Sequence, residues 1–411
     1  MSLLTDVRAP APAVLPRLLG DAGMRAAGRA RPVRRGALTT MLDAAGLRGR
    51  GGAGFPVAAK VRAVRRATGL RRPVVVANGV ESEPLSHKDA LLLRSFPHLV
   101  LDGLTLLAHE VGATRAYLGV AAGAVEVDDV TAALHRRPRD VEVEVVEVPH
   151  RYVASESSAL LSWIDGGAAV PYVRPPWEAE RGVGGRPTLV HNVETLAQVA
   201  LLAYYGVHWF RAVGQPDEPG TFLLTVDGAV ATRGVYEVAA GTPLADVLER
   251  AGVALDADTA VLTGGYLGRW LRGAAVRSAS VSRAGMDAAG GALGAGVVHV
   301  LPPESCPLAE TARVATYLAE QSAGQCGPCR YGLAALAEAM RALAWWPDAD
   351  AQAANRIRRW GEMVKGRGAC RHPDGAGGFL VSAVDAFADH VDGHVGHGAC
   401  AAAARELRSA R

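Results

Sequence analysis

Apolar residues at Leu38, Met41, Leu42 and Ala45 recur with helical spacing and stop at Gly46, so a helix leads into the glycine-rich stretch that follows. Beyond that stretch, Val74 to Ala77 reads as a short buried strand and Leu91 to Val111 as largely helical. Arg115 to Val120 predicts a strand, Val127 to Arg136 a helix and Val141 to Val148 a further strand. Strands alternating with helices predict an α/β layer architecture. Glycine, proline and acidic residues from Gly214 to Gly220 mark a boundary. Phe222 to Val226, the turn Asp227-Gly228, Gly234 to Val238 and a short helix from Pro243 to Ala251 then suggest a small β-rich module. From Pro307 the pattern is helical, over 308–322, 331–343, 351–364 and 379–390. No internal repeat is visible.

At 411 residues, 49% of them hydrophobic, the chain has material for two or three cores. A net charge of +3 gives no electrostatic footprint for nucleic acid, and no apolar run is long enough to cross a bilayer. Residues 1–35, with Pro10, Pro12, Pro16 and Arg25, Arg29, Arg31, Arg34 and Arg35, read as a mobile arm or docking segment, without the pattern of a secretory signal. Five cysteines, Cys306, Cys326, Cys329, Cys370 and Cys400, are few and odd in number, which favours reduced thiols and a cytoplasmic compartment over a disulfide framework. Lysine occurs only at Lys60, Lys88 and Lys365 in an arginine-rich chain, so a retained lysine marks a site that wants a compact ammonium.

The segment Gly46-Leu-Arg-Gly-Arg-Gly-Gly-Ala-Gly-Phe-Pro56 contains Gly49-x-Gly51-x-x-Gly54. An ordinary dinucleotide fingerprint needs a strand before it, whereas here a helix precedes it. The physics survives the change: without side chains, backbone amides can approach a phosphate, and the next helix start adds donors. Arg50 and Lys60 are placed to add charge-assisted bonds. Three further polar clusters fall at strand ends or helix starts: Asn78-Gly-Val-Glu-Ser-Glu-Pro84 with Lys88 and Asp89, Tyr152-Val-Ala-Ser-Glu-Ser-Ser158 with Ser155 as the expected N-cap, and Thr188-Leu-Val-His-Asn-Val-Glu-Thr195. Any one of them alone reads as a cap or turn; four together point to a ligand.

With these motifs the chain resembles the NADH-binding flavoprotein subunit of respiratory complex I and its relatives in NAD-linked hydrogenases and formate dehydrogenases. The resemblance rests on the glycine segment, on Pro187-Thr-Leu-Val-His-Asn-Val-Glu-Thr195 and on Gly324-Gln-Cys-Gly-Pro-Cys-Arg330 as an ordered set. It implies an FMN-binding, Rossmann-like α/β domain over 36–215, a β-grasp-like soluble-ligand-binding module over 216–300 and a helical iron-sulfur domain over 301–411. By the same resemblance FMN is surrounded by Gly49, Arg50, Gly51, Gly52, Ala53, Gly54, Lys60, Asn78, Glu81, Tyr152, Ser155, Glu156 and Asn192, with Ser157 and His191 at further contact positions. Glu81, the expected catalytic carboxylate, and Glu83 hold NADH, with Phe55 and Trp177 near its rings. The chain departs from the family at Val80, where a carboxylate is usual, at Ser155-Glu156-Ser157-Ser158 in place of Gly-Glu-Glu-Thr, at His191 in place of asparagine, and at Ala63 in place of an aromatic residue.

Cys326-Gly-Pro-Cys329 with Cys370 admits three readings: a thioredoxin-type dithiol, which needs a strand-to-helix turn, structural zinc, or an iron-sulfur cluster. The family pattern is CxxCxxC plus a distant cysteine, and its first position here is Ala323, which cannot ligate iron. Cys326, Cys329 and Cys370 then hold a 3Fe-4S cluster, or a 4Fe-4S cluster whose last iron takes His372, water, Cys400 or Cys306. The tail residues His390, His394, His397 and Cys400 have spacing that suits a transition metal, against the plainer reading of a mobile terminus. The reading that results is an NADH dehydrogenase-type flavoprotein, one subunit of a hetero-oligomer, passing electrons to a ferredoxin or a membrane redox subunit at the inner face of the membrane. Two alternatives stand beside it: a ferredoxin:flavin module like the C subunit of the Rnf ferredoxin:NAD oxidoreductase, and a degenerate docking subunit without cofactors.

Overall fold

The computed structural model describes residues 17–29, 33–69, 71–137, 140–173, 176–346 and 352–409. Pro10, Pro12, Pro16 and Arg31 of the expected arm and Ala351 at an expected helix start lie outside these residues. The chain divides into two compact units, the first reaching Thr225 and including Gly234–Thr242, the second formed by Val226–Arg233 and everything from Pro243 onward.

In the first unit the elements run α1 (Asp21–Ala26), α2 (Ala37–Ala45), α3 (Val57–Ala67), β1 (Val74–Gly79), α4 (Lys88–Ser95), α5 (Pro97–Val111), β2 (Arg115–Ala121), α6 (Glu126–His135), β3 (Glu142–Val148), α7 (Ser157–Ile164), β4 (Thr188–Asn192) and α8 (Val193–Arg211). The four strands form a parallel sheet in the order β3-β2-β1-β4. Alternate residues of β1 feed two cores: Val75 and Ala77 join Leu92, Leu104 and Leu196, while Val74 and Val76 join Leu160 and Leu161. A sheet buried on both faces is what parallel strands require, and it explains why β1 is a continuous apolar run rather than an alternating one.

Strand order reverses between β1 and β4, and at their C-terminal ends Asn78 is in register with Asn192. Such a switch point opens a crevice where ligands of α/β sheets bind.

Two expectations change here. The helix expected over Leu91–Val111 is two helices, because Pro97 cannot donate an amide and starts a new helix after Phe96. Among the described residues no single helix is long and apolar enough to cross a membrane, and the α4–α5 pair, bent by 94°, buries its leucines in the core. The second half of the expected arm is packed: Leu18 is fully buried, the amides of Leu18 and Leu19 donate to the Glu237 carboxylate at 2.8–3.0 Å, and Gly28 donates to Asp102 at 2.8 Å.

The unit boundary cuts through β5 (Thr221–Gly228), which is followed by β6 (Gly234–Ala239) and α9 (Leu244–Arg250). In the second unit β7 (Ala260–Thr263) pairs antiparallel with β8 (Arg269–Arg272), and also with β9 (Val297–Val300), which follows α10 (Ala274–Ser278) and α11 (Arg283–Ala288). The remaining helices are α12 (Pro307–Glu320), α13 (Leu333–Trp345), α14 (Ala353–Val364), α15 (His372–Ala386), α16 (Ala388–His397) and α17 (Ala401–Ser409). Trp270 of β8 packs its ring 6.4 Å from that of Phe379 and 5.5 Å from that of Phe387, and its amide donates to Ser382 Oγ at 3.0 Å. The strands from 260 on and the helices after 301 therefore share one compact unit, across the boundary expected near residue 300.

Candidate functional site

Helix α2 ends at Gly46 in the left-handed conformation, and the chain then loops through residues 47–56 into α3. The neck of the loop is closed by backbone bonds, Gly49 N to Phe55 O at 3.0 Å and Val57 N to Leu47 O at 3.0 Å. The Arg50 amide donates to Thr195 Oγ1 at 2.9 Å. Beyond it the amides of Gly51, Gly52, Ala53, Gly54 and Phe55 have no acceptor among the described residues, although Gly54 is buried. Gly52 and Gly54 take φ of +95° and +63°, where a side chain would be strained, and a Cβ on Gly51 would lie 3.1 Å from the Cβ of Asn192.

A run of adjacent amides without partners is costly in a folded chain unless an anion or water takes them. The donors thus span Gly51 to Phe55, and the expectation of a cradle beginning at Gly49 is corrected, since that glycine's amide closes the neck. Arg50 is corrected too: its guanidinium is buried, donates to the carbonyls of Thr221 and Pro219 at 3.1 and 3.2 Å, and lies 4.0 Å from the Phe222 ring centroid.

Beneath Gly51 the hydrogen bonding is the reverse. Asn192 caps α8 by accepting from Glu194 N at 3.0 Å and donates to Asp89 Oδ2 at 2.6 Å. Lys88, buried, places Nζ 2.8 Å from Asp89 Oδ1, 2.9 Å from Glu194 Oε2 and 3.5 Å from Asn192 Oδ1. Burial works against the Lys88 charge, but Asp89, Glu194 and Glu81 outweigh it and raise its pKa, so it stays an ammonium. Asp89 and Glu194, which the sequence places in two of the polar clusters without giving either a role, complete the site as the partners of the lysine kept in an arginine-rich chain.

Glu81, the expected catalytic carboxylate, instead caps α4, accepting from Ser86 Oγ at 2.5 Å, Asp89 N at 3.1 Å and Ala90 N at 3.0 Å. Burial and the neighbouring Asp89 push its carboxyl up to about 7, against the lowering effect of Lys88. Glu83 is buried and takes the Tyr152 hydroxyl at 2.7 Å, so the two carboxylates do not form an open acidic lip.

The third cluster also holds itself together. Asn78 Nδ2 donates to Ser155 O at 2.8 Å, and Ser82 Oγ lies 2.5 Å from Ser155 Oγ. The N-cap of α7 is Glu156 rather than Ser155: its carboxylate accepts from Ser158 N at 2.7 Å and Ala159 N at 3.3 Å, with Ser157 Oγ at 3.4 Å. Lys60 donates to Val190 O at 3.3 Å and sits 3.9 Å from Glu178. Beside it His191 is buried with Nε2 lacking any partner among the described residues, and burial together with Lys60 keeps its imidazole neutral. Phe55 and Trp177 are exposed, 52% and 57%.

Five amides without acceptors and a buried imidazole nitrogen without a partner among the described residues, in the unit whose sheet carries the switch point, fit a bound flavin mononucleotide: the amides suit its phosphate, the imidazole its polar ring edge.

In the second unit Cys326 and Cys329 flank the start of a π-helical turn, Pro328–Gly332, between α12 and α13, and Cys370 stands just before α15. No strand leads into the turn, which removes the thioredoxin-type reading. Burial, then the neighbouring Cys326, and to a smaller extent Cys370, push the Cys329 thiol up to about 12, so the three cysteines lie in one neighbourhood. The amides of Ala369 and Cys329 point at Cys326 Sγ, and that of Ala323 at Cys329 Sγ. A soft donor set already met by amide donors fits an iron-sulfur group. His372 directs Nε2 to Leu318 O at 2.9 Å. Cys306 and Cys400 meet each other and His394, their ligand atoms all within 4.8 Å of one another.

Comparison with known proteins agrees with both sites. Residues 42–201 match the Nuo51 FMN-binding domain, and residues 309–394 match the NADH-ubiquinone oxidoreductase-F iron-sulfur binding region. The second NADH-quinone oxidoreductase F subunit of Rhizobium meliloti (strain 1021) is 31% identical over 318 residues, 72% of this chain and 74% of that protein. The F subunit of the Mycobacterium tuberculosis (strain ATCC 25618 / H37Rv) enzyme is 29% identical over 383 residues, 86% of this chain and 84% of that protein. Among solved structures, the NAD+-reducing [NiFe]-hydrogenase in the air-oxidized state superposes with a TM-score of 0.79 at 30% identity over 87% of this chain, which spans 62% of the hydrogenase chain. The H2-reduced form gives a TM-score of 0.80 at 29% identity, covering 91% of this chain and 67% of that one. With these matches over both units, the chain belongs to the family of NADH-quinone oxidoreductase F subunits.

Proposed function

We propose that this chain is the flavin- and iron-sulfur-carrying electron-input subunit of a multi-subunit NADH oxidoreductase. The observation that carries the reading is the run of acceptor-free amides from Gly51 to Phe55 above a fully paired charge network. A bound flavin supplies the exchange between the two-electron chemistry of NADH and the one-electron chemistry of an iron-sulfur group. The residues of the chain bind and orient. Gly51, Gly52, Ala53 and Gly54 donate to the phosphate, with Lys60 adding charge. Asn192, fixed by Lys88 and Asp89, supports the loop from below. Glu81 positions α4 and Asn192 through Asp89 rather than reacting. Tyr152 and Glu83 brace the second and third clusters together, and the exposed rings of Phe55 and Trp177 offer surfaces for a nicotinamide cofactor. Cys326, Cys329 and Cys370 ligate iron. The subunit works in the cytoplasm beside a redox protein such as a ferredoxin or a membrane-bound subunit.

The internal pairing of Glu81 and Glu83 favours a second reading, a ferredoxin:flavin module that binds NADH weakly. Anaerobically purified protein should release FMN, contain iron and give an iron-sulfur EPR signal. NADH should bleach the flavin; a flavin that only reduced ferredoxin bleaches would select the second reading, and a colourless, metal-free protein would refute both.

A further inference from the structure

Three donors outside the Cys326 group come together from separate elements of the second unit. Cys306 stands immediately before α12, His394 lies in α16 and Cys400 immediately precedes α17. Their ligand atoms all lie within 4.8 Å of one another, and Cys306 Sγ is 3.7 Å from His394 Nε2. Zinc bonds of about 2.3 Å to sulfur and about 2.0 Å to imidazole, at tetrahedral angles, put such ligand atoms about 3.5–3.8 Å apart. Little closure is needed.

The imidazole is already oriented. His394 Nδ1 lies 3.1 Å from Leu343 O, an N–H donor arrangement that leaves Nε2 as the lone-pair atom facing the sulfurs. The Cys400 amide, 3.3 Å from Nε2, agrees with that tautomer. Helix-start amides face both sulfurs: Ala403 N is 3.5 Å from Cys400 Sγ, and the Leu308 and Ala309 amides point at Cys306 Sγ, whose thiol burial nonetheless holds in the protonated form until a cation displaces the proton. Cys306 and His394 are buried and Cys400 is half-buried, so a fourth position opens on the Cys400 side. Of the other tail histidines, His390 lies against Asp389 and the Phe387 ring.

We propose that Cys306, His394 and Cys400 bind one thiophilic divalent ion of the zinc class, completed by water, separately from the iron-sulfur group of Cys326, Cys329 and Cys370. Such an ion ties α16 and α17 to the start of α12. The inference does not depend on the flavin site.

The test is elemental analysis for zinc, iron and flavin on the full chain and its variants. Wild type and a Cys326→Ser/Cys329→Ser variant should carry about one zinc per chain, and Cys400→Ser and His394→Ala should carry none, with iron and flavin kept in the last two. Where stripped protein is titrated anaerobically with cobalt(II), a thiolate-to-cobalt charge-transfer band should form in the Cys326→Ser/Cys329→Ser variant and be absent from Cys400→Ser. Zinc unchanged by Cys400→Ser, wild type that takes up neither zinc nor cobalt, or a Cys306–Cys400 disulfide in protein prepared without reductant would each overturn the proposal.

Discussion

The loop at Gly51–Phe55 and the network around Lys88 touch at Asn192, yet they solve opposite problems. In the loop five amides have no acceptor among the described residues, while below it Lys88 meets Asp89 and Glu194, and Asn192 spends both ends of its amide on the chain. A polar region that serves only the fold closes on itself, as the network does, because an unmet buried group costs roughly 1–3 kcal/mol. One that serves a ligand leaves groups unmet and needs a rigid neighbour to keep them so. The same contrast recurs at the sheet, where Asn192 is fully engaged and the adjacent His191 has an orphan nitrogen.

Breaking the closed side should have the largest effect. Lys88→Met removes the cation from among Glu81, Asp89 and Glu194 and should lower unfolding stability by about 3–5 kcal/mol, read from urea denaturation, because it leaves buried carboxylates unpaired. An unchanged midpoint would mean the network is not structural. His191→Leu acts on the open side. It should raise apo-protein stability by about 1–2 kcal/mol, by deleting an unmet nitrogen, while weakening flavin retention; differential scanning of apo and flavin-loaded protein separates the two effects.

Glu81 sharpens the comparison through pH. Its carboxyl is raised from 4.5 to about 7, so the native state holds the proton more tightly than the unfolded chain. Its contribution is full below 4.5 and is lost as pH rises through about 7, with a slope of at most about 1.4 kcal/mol per pH unit that Glu81→Gln should remove from apo-protein denaturation curves. Smallest, Glu156→Ala should cost about 1 kcal/mol by uncapping α7, with no change in iron content.

Much of this contrast is legible in the residues. The glycines, the clusters at strand ends and the preserved lysine locate the site, because backbone approach and compact charge restrict residue type. Its internal wiring is not. Which carboxylate meets which partner depends on the register of β1 against β4, and β4 itself is hidden because its end, His191-Asn192, is polar and reads as a helix cap. Ser155 looks like the cap of α7, yet Glu156 reaches the free amides one turn on. The four-residue strands β7, β8 and β9 are too short to show alternation. His394 and Cys400 are close enough in sequence for their spacing to show, whereas Cys306 lies 88 residues before His394 and joins them only through the packing of α12, α16 and α17.

The cradle is tested most directly at Gly51, where a Cβ would press on Asn192 at 3.1 Å. In Gly51→Val the flavin-to-protein ratio should fall close to zero while iron per chain stays at the wild-type level. A variant that keeps its full complement of FMN would place the phosphate elsewhere and remove the basis for the redox assignment.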